Sequence, residues 1–207
     1  EIKALAQQYE IPLIEDSAEA LGSSYKGKKC GAFGDIGILS FNGNKIITTS
    51  GGGALVAPNK EIKEKAVFFA TQSRDQAPHY QHSEIGYNYR LSNICAGIGR
   101  GQMEVLDDHI SLRRKMHDFY VDYFENIDGV TVFQEPNSNY YSNHWLSAIL
   151  IDSSKTNGKT SEELRLALEK ENIESRPLWK PMHLQPVFQK YPYYGEKVSQ
   201  QLFEDGL

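Results

Sequence analysis

The sequence predicts an α/β fold with a mostly parallel sheet and flanking helices, followed by a smaller α+β domain. Residues 1–9 place apolar side chains at helical spacing, and the continuously apolar run 11–14 follows directly. A helix that leads into such a strand is typical of a parallel sheet covered on both faces. After Gly129 the order becomes strand, strand, helix, strand, which indicates the second domain. We expect a large domain at 1–108 and a small one at 109–207.

The first half of the chain is predicted in the following order. The run 11–14 leads into Glu15 and Asp16 at a strand end, and SSYKGKKCG within the Gly-rich stretch 17–34 is typical of a hairpin. Two short strands are expected within 35–57 and a helix over about 60–72. The stretch 73–91 lacks periodicity, and a polar, aromatic-rich loop of that length is uncommon without a functional reason.

Helices dominate the next part of the prediction. Ser92 caps a helix that joins or kinks into a bridging helix over about 107–126. One side of the bridging helix is expected to be core and the other solvated. The predicted core side is Leu106, Ile110, Met116, Tyr120, Tyr123 and Phe124, and the solvent side is Arg113, Arg114, Asp118 and Asp122. Strands are predicted at 130–133, 145–152 and 173–176, and Thr160 with Glu163 indicates a capping box before a helix.

Composition excludes several classes of function. The 207 residues are 40% hydrophobic and 24% charged, which is ordinary for a globular protein. The net charge of −5 gives no support to nucleic-acid or anionic-membrane binding. Cys30 and Cys95 lack CxxC spacing, and His79 with His82 lacks further ligands, so no metal site is predicted. We expect a cytoplasmic protein without a membrane partner.

The stretch 35–57 carries the residue on which the predicted chemistry depends. Lys45 ends a polar turn between two apolar runs. Burial among apolar residues disfavours an ammonium and lowers the pKa of a lysine. A neutral amine attacks a carbonyl, as Schiff-base chemistry requires. Most lysines near strand ends are solvated, however, so Lys45 alone leaves both interpretations open.

A carboxylate and a hydroxyl accompany this lysine. Asp16 follows a predicted strand, and α/β sheets bind ligands at such strand ends. Ser40 belongs to the next predicted strand and precedes Lys45 in the sequence. Pyridoxal phosphate needs a carboxylate at its ring nitrogen, an amine for its aldehyde, and hydroxyl and N–H groups for its phosphate. Because Asp16, Lys45 and Ser40 supply one of each, we predict pyridoxal 5′-phosphate as the cofactor.

Three blocks of sequence resemble a known family. IEDSAEALGSSYKGKKCGAFGDIGILSFNGNKIITTSGGGALV is similar to the centre of the DegT-type, pyridoxal-phosphate-dependent sugar aminotransferases. GYNYRLSNICAGIGRGQMEVL and RPLWKPMHLQPVF continue the resemblance in the same order. It implies a partial transferase fold of type I, the aspartate-aminotransferase fold. SFNGNKIITTSGGG, RLSN and RPLWKPMH are similar to the 4-aminotransferases of the UDP-N-acetylbacillosamine pathway.

The resemblance implies roles for nine residues. Lys45 would be the Schiff-base lysine and proton shuttle, Asp16 would pair with the pyridinium nitrogen, and Ser40 would bind the phosphate. Glu19, where many members carry Gln or His, would be a third catalytic residue beside Lys45 and Asp16, near O3′ of the cofactor and the aldimine. Asn88 would reach the phosphate of the partner subunit's cofactor across a homodimer interface. Arg90 would meet the nucleotide diphosphate, and the residues lining the nucleotide-sugar channel would be Arg176, Lys180 and His183.

The implied reaction is amino transfer from an amino acid, with glutamate expected, to the C4 ketone of a UDP-2-acetamido-4-keto-2,4,6-trideoxyhexose for bacterial glycan biosynthesis. GDP-4-keto-6-deoxymannose, a dTDP-keto sugar and a UDP-4-keto pentose are alternative substrates. A dimerising or regulatory module without catalysis is a further alternative. The dehydratase branch of the family has histidine in place of the lysine, so Lys45 argues against it.

The ends of the sequence suggest a fragment. The chain begins without Met inside a helical pattern and stops inside another pattern. We expect that the N-terminal part of the large domain, with its phosphate cradle and ring-stacking aromatic residue, is absent, as is the C-terminal end. The isolated 207 residues are accordingly expected to bind the cofactor poorly and to transaminate nothing.

Overall fold

The computed structural model describes residues 1–207 and divides into two compact units. The first unit contains residues 1–114 and 135–145, and the second contains 115–134 and 146–207. Each unit has its own apolar cluster. The chain first passes from one unit to the other inside a helix, and the assignment of the units to a large and a small domain stays a prediction.

The first unit is built on a three-stranded sheet in the order β1–β4–β5. Strand β1 (Ile14–Asp16) runs parallel to β4 (Ile36–Ser40), and β4 is antiparallel to β5 (Gly53–Val56). Strand β1 begins three residues later than the apolar run 11–14 predicts. Pro12 has no N–H for a ladder, and the Leu13 N–H donates instead to the Asp35 carboxylate over 2.8 Å.

A tight hairpin extends from this sheet region, as the sequence predicts. Strands β2 (Ser24–Tyr25) and β3 (Lys28–Lys29) pair in antiparallel register. The linking residues Lys26 and Gly27 have φ angles of 49° and 76°, which is the left-handed pair that a type I′ hairpin turn requires. Strand β7 (Tyr140–Tyr141), which sequence patterns did not indicate, pairs with the other edge of β2.

Four helices begin or lie in the first unit. They are α1 (Ile2–Gln8), α2 (Lys60–Ala70), α3 (Asn93–Glu104) and α4 (Leu106–Phe124), of which α4 continues into the second unit. The predicted cap of α3 is confirmed, because the Ser92 hydroxyl accepts the Cys95 N–H over 3.2 Å. None of the helices is both long and apolar enough to cross a bilayer.

The second unit contains a small sheet and two helices. Strand β6 (Val130–Val132) pairs in antiparallel register with β8 (Ile149–Ile151), and Val132, Ile149 and Ile151 form its buried cluster. Helix α5 (Ser161–Lys170), a 3₁₀ turn (Met182–Leu184) and α6 (Val198–Asp205) follow. The capping box between Thr160 and Glu163 is confirmed.

Two strand predictions in the second unit are wrong. Residues 173–176 form no strand, and the strand predicted over 145–152 is limited to Ile149–Ile151. The edge of β8 that faces away from β6 pairs with Leu207. Ile149 and Leu207 exchange both backbone hydrogen bonds, at 2.9 and 3.0 Å. This pairing leaves that edge closed to residues 173–176.

The predicted core side of α4 is only partly buried. Leu106 and Ile110 are buried in the first unit, but Met116 and Tyr123 are 49% and 62% exposed. Periodicity identifies the apolar side of a helix without showing what covers it. Arg114, predicted on the solvent side, instead binds Glu135 in an ion pair at 2.7 Å.

Candidate active site

The loop 41–52 joins β4 to β5 and carries Lys45. Its neck is closed by backbone hydrogen bonds: the Phe41 N–H donates to Gly52 O over 3.0 Å, and the Thr49 N–H donates to Phe41 O over 2.9 Å. Ile46 and Ile47 are buried in the cluster of the first unit. The apolar pair therefore anchors the loop immediately after Lys45, which stabilises one backbone position for this lysine.

The amine of Lys45 lies between a carboxylate and an aromatic face. Its side chain is 11% exposed, and its Nζ is ion-paired with Glu19 Oε1, whose side chain is 47% exposed. The same Nζ lies 4.6 Å from the centroid of the Trp145 ring, within cation–π range. The sequence predicted an apolar setting for this lysine; the structure places it in an acidic and aromatic one instead.

Asp16 and Ser40 lie at the carboxyl ends of neighbouring parallel strands. Asp16 is in register with Ile38, and Ser40 is two residues further along β4, so both side chains project from the same face of the sheet. Strand spacing and rise place their Cα atoms roughly 8 Å apart. Asp16 Oδ1 accepts the Ala18 N–H over 3.1 Å, and Ser40 Oγ accepts the Asn42 N–H over 3.4 Å.

Asn143 joins the segments around this site by hydrogen bonds. Sequence patterns did not identify it as a site residue. Its Nδ2 donates to the carbonyl oxygens of Glu19 and Leu21 over 2.8 and 3.0 Å. Its Oδ1 accepts the Trp145 N–H over 2.9 Å, and its own N–H donates to Ser23 Oγ over 2.9 Å. Three of these four partners lie 120 or more residues away, so no local sequence signal could have identified this asparagine.

An ion pair anchors the segment that carries Asn143 and Trp145. Arg114 donates to both carboxylate oxygens of Glu135, over 2.7 and 3.3 Å, and to Ser142 O over 2.6 Å. The Ser142 N–H donates to Glu135 Oε1 over 2.6 Å. The hydrogen bond from Arg114 is the main cause that lowers the pKa of Glu135, which stabilises its charged form.

Asn88 and Arg90 lie in a segment beside the end of α2. Asn88 forms an isolated bridge with Thr71, and the Tyr87 and Tyr89 N–H groups donate to Phe69 and Ala70 carbonyls. Both predicted residues are exposed. The structure fixes their backbone without joining either side chain to Lys45, so their roles stay predictions.

Arg176, Lys180 and His183 belong to the second unit. Arg176 is ion-paired with Glu174 at 2.6 Å, and the His183 ring stacks on Tyr193 with centroids 3.8 Å apart. The Lys180 carbonyl accepts from Gln185 Nε2 over 3.3 Å. All three follow α5, on the segment that contains the 3₁₀ turn, and their roles also stay predictions.

The donor set of the first unit fits pyridoxal phosphate. A carboxylate and a hydroxyl share one sheet face, at a separation comparable with a substituted pyridine ring. Asp16 Oδ2 has no partner in the structure, so this oxygen is available for a protonated ring nitrogen. The Lys45 amine lies on the loop that begins directly after Ser40, with Glu19 as its hydrogen-bond acceptor.

Several relatives match this chain. EpsN of Bacillus subtilis, whose name places it among the pyridoxal phosphate-dependent aminotransferases, is 48% identical over 100% of the chain and 53% of its own length. A GDP-perosamine synthase of Escherichia coli O157:H7 is 39% identical over 93% of the chain and 52% of its length. A UDP-4-amino-4,6-dideoxy-N-acetyl-beta-L-altrosamine transaminase of Campylobacter jejuni is 42% identical over 60% of the chain and 34% of its length.

A solved structure and a family model complete the comparison. The crystal structure of a DegT DnrJ EryC1 StrS aminotransferase from Brucella abortus matches 99% of the chain with a TM-score of 0.84 and 26% identity, which confirms the predicted fold class. That match covers 53% of the Brucella chain, and the present chain spans about half the length of the first relatives it matches. The family model covers residues 1–207. The chain therefore belongs to the DegT/DnrJ/EryC1/StrS aminotransferase family, whose cofactor is pyridoxal phosphate.

Proposed function

We propose that the protein containing this chain is a pyridoxal phosphate-dependent aminotransferase that acts on a nucleotide sugar. The observation that carries the proposal is the pairing of the Lys45 amine with Glu19 beside the strand ends that bear Asp16 and Ser40. Membership of an aminotransferase family supports the same conclusion. The first unit would belong to the large, cofactor-binding domain, and the second to the small domain.

The cofactor, when bound, supplies an aldehyde that bonds reversibly to amines and a ring that accepts electrons. Lys45 Nζ is the amine of this chain that would bond to it. The same Nζ would also be the base that moves a proton between the amino-bearing carbon of the substrate and the cofactor carbon bonded to the same nitrogen. Glu19 Oε1, which accepts a hydrogen bond from Nζ, would hold the amine in place.

Asp16 and Ser40 would orient the cofactor. The Asp16 carboxylate would keep a proton on the ring nitrogen, because an adjacent negative charge favours the protonated pyridine. The Ser40 hydroxyl would donate to the phosphate, a strong charge-assisted hydrogen bond. The Trp145 ring would keep water from one side of the amine, since it covers Lys45 at 4.6 Å.

The proposed acceptor is the C4 ketone of a UDP-2-acetamido-4-keto-2,4,6-trideoxyhexose, with an amino acid such as glutamate as the donor. Similarity to the Campylobacter transaminase, whose name contains a UDP-linked acetamido sugar, supports this acceptor. GDP-4-keto-6-deoxymannose is the second candidate, because the match to the GDP-perosamine synthase covers more of the chain. The product would serve bacterial glycan biosynthesis.

The remaining predicted residues are proposed to bind substrate and partner. Asn88 would reach the cofactor phosphate of a second subunit in a homodimer with shared active sites, and its exposure is compatible with that role. Arg90 would contact the nucleotide diphosphate. Arg176, Lys180 and His183 would line the nucleotide-sugar channel, because cationic and hydrogen-bonding side chains suit a diphosphate and a sugar.

The test is an assay of the full-length protein with glutamate and a panel of UDP-, GDP- and dTDP-linked keto sugars, with mass spectrometry to detect the amino sugar. We expect product from one nucleotide class, and none from the variant Lys45→Ala. The control is Lys63→Ala, a substitution at an exposed lysine of α2, and this variant should retain turnover. A full-length protein that holds no cofactor and aminates no keto sugar would support the alternative of a dimerising or regulatory module.

A further inference from the structure

Three side chains from distant parts of the sequence hold the backbone on either side of Lys45. Trp145 Nε1 donates to the Asn44 carbonyl over 2.6 Å. His109 Nδ1 lies 3.1 Å from the Ile46 carbonyl oxygen. Gln102 holds Thr48 at both polar groups, accepting its N–H and donating to its carbonyl, each over 2.8 Å. The held backbone positions, 44, 46 and 48, alternate along the loop.

The alternation resembles the hydrogen bonding of a strand edge. In a sheet, every second residue exchanges backbone hydrogen bonds with a neighbouring strand. No strand pairs with residues 44–48, and the three side chains supply those bonds instead. Gln102 reproduces a backbone pair most closely, because its amide offers one acceptor and one donor in the same plane.

The chemistry of the His109 contact fixes its tautomer. A carbonyl oxygen can only accept a hydrogen bond, so the proton must be on Nδ1 of the imidazole. The contact thus needs no positive charge on the ring. An asparagine can place an N–H at the same position, whereas leucine fills similar space without a donor. This pair of substitutions separates the hydrogen bond from the packing of the side chain.

Apolar burial by itself does not fix this part of the loop. Ile46 and Ile47 anchor only the residues directly after Lys45, and the hydrophobic effect is not directional. Asn44 is exposed, so the hydrogen bond from Trp145 is what ties the residue before Lys45 to the first unit. The polar contacts at 44 and 48 therefore define the backbone direction from which the lysine side chain extends.

We propose that Gln102, His109 and Trp145 are positioning residues that hold the Lys45 amine against Glu19. The proposal deepens the function proposed above and rests on it for the catalytic consequence. A displacement of a reacting group by about 1 Å can cost roughly 100-fold in rate. Loss of one contact should consequently lower kcat more than it changes the KM for the nucleotide sugar.

The experiment compares His109→Leu, His109→Asn and Gln102→Met in the full-length protein, with the exposed-helix variant Gln8→Met as the control. Two readouts are used: kcat and KM in the amino-transfer assay, and trace labelling of lysines by an amine-acylating reagent, resolved by peptide mass spectrometry. We expect His109→Leu and Gln102→Met to lower kcat by about 10- to 100-fold. The protein is labelled after incubation with glutamate and desalting, so that Lys45 is not bonded to the cofactor. Labelling of Lys45 relative to Lys63 should then rise severalfold, because the amine leaves Glu19 and the Trp145 ring more often.

Rescue by asparagine is the decisive result. His109→Asn should restore most of kcat and the low labelling of Lys45, whereas Gln8→Met should match the wild type. If His109→Leu and Gln102→Met lower only the unfolding midpoint and leave labelling and kcat unchanged, the positioning role is wrong. A wild type without aminotransferase activity whose Lys45 labelling still responds to the variants would reject the proposed function and support the positioning role.

Discussion

The indole N–H of Trp145 donates to the carbonyl oxygen of Asn44 over 2.6 Å, joining positions 101 residues apart. The same ring lies over the amine of Lys45, the residue next to Asn44. One side chain thus contacts both the backbone before the lysine and the lysine amine. The geometry of the candidate site depends on a segment that the sequence assigned to a different domain.

The first prediction concerns this hydrogen bond. Trp145→Phe keeps an aromatic ring but removes the indole donor and part of a buried side chain. We expect the free energy of unfolding to fall by about 1–3 kcal/mol, the sum of a lost hydrogen bond and lost burial. Urea denaturation, monitored by circular dichroism, measures this change in unfolding free energy. The same change at the exposed Trp179 should stay within about 0.5 kcal/mol.

The second prediction concerns Asn143, which is buried and uses its amide on three backbone groups. Asn143→Ala leaves two carbonyls and one N–H without these partners, and we expect a loss of about 2–4 kcal/mol in unfolding free energy. The exposed Asn137, whose side chain accepts only the Asn139 N–H, offers the matched alanine substitution. Equal losses at the two positions would contradict the bridging role of Asn143.

The third prediction concerns Glu135 and acid. Its pKa is lowered chiefly by the hydrogen bond from Arg114, so its charged form stabilises the folded state. This contribution is fully present above the ordinary pKa of 4.5 and is lost as the pH falls through the lower folded value. Stability should therefore drop between neutral pH and about pH 3, and Glu135→Gln should show a smaller drop. Urea titrations across that range are the measurement, with the exposed substitution Glu171→Gln as the control.

The fourth prediction concerns Glu19. Both a carboxylate and an amide oxygen accept a hydrogen bond from Lys45 Nζ, whereas leucine has no acceptor. We expect Glu19→Leu to lower kcat by about 100-fold and Glu19→Gln to lower it much less. Steady-state kinetics of the full-length protein with the keto sugar of the proposed function separates the two. Comparable rates for wild type and Glu19→Leu would show that the ion pair has no part in catalysis.

The fifth prediction concerns the helix cap at Thr160. Its hydroxyl accepts the Glu163 N–H over 3.2 Å, and the Glu163 carboxylate accepts the Thr160 N–H over 3.0 Å. Thr160→Ala should cost about 1 kcal/mol of unfolding free energy, and Thr160→Ser should cost less. Thermal and urea denaturation test this. A serine variant as unstable as the alanine variant would point to packing of the threonine methyl group instead.

The sequence by itself determined the features that depend on neighbouring residues. A cap is a contact across three positions, so Ser92 and Thr160 were predictable. The hairpin at Lys26 and Gly27 follows from turn chemistry between short strands. The α/β class and the family followed from the order of apolar runs and from motifs along the chain.

Only the tertiary structure decided what surrounds Lys45. Glu19 lies 26 positions from Lys45, and Trp145 lies 101 positions from Asn44, to which it donates. The Asn143 amide reaches back 124 residues. Hydrogen bonds and ion pairs act over a few ångströms in space and leave no periodic trace in sequence. The burial of α4 and the pairing of β8 with Leu207 likewise depend on the tertiary structure. In both cases a segment distant in sequence determines which side chains or strand edge are covered.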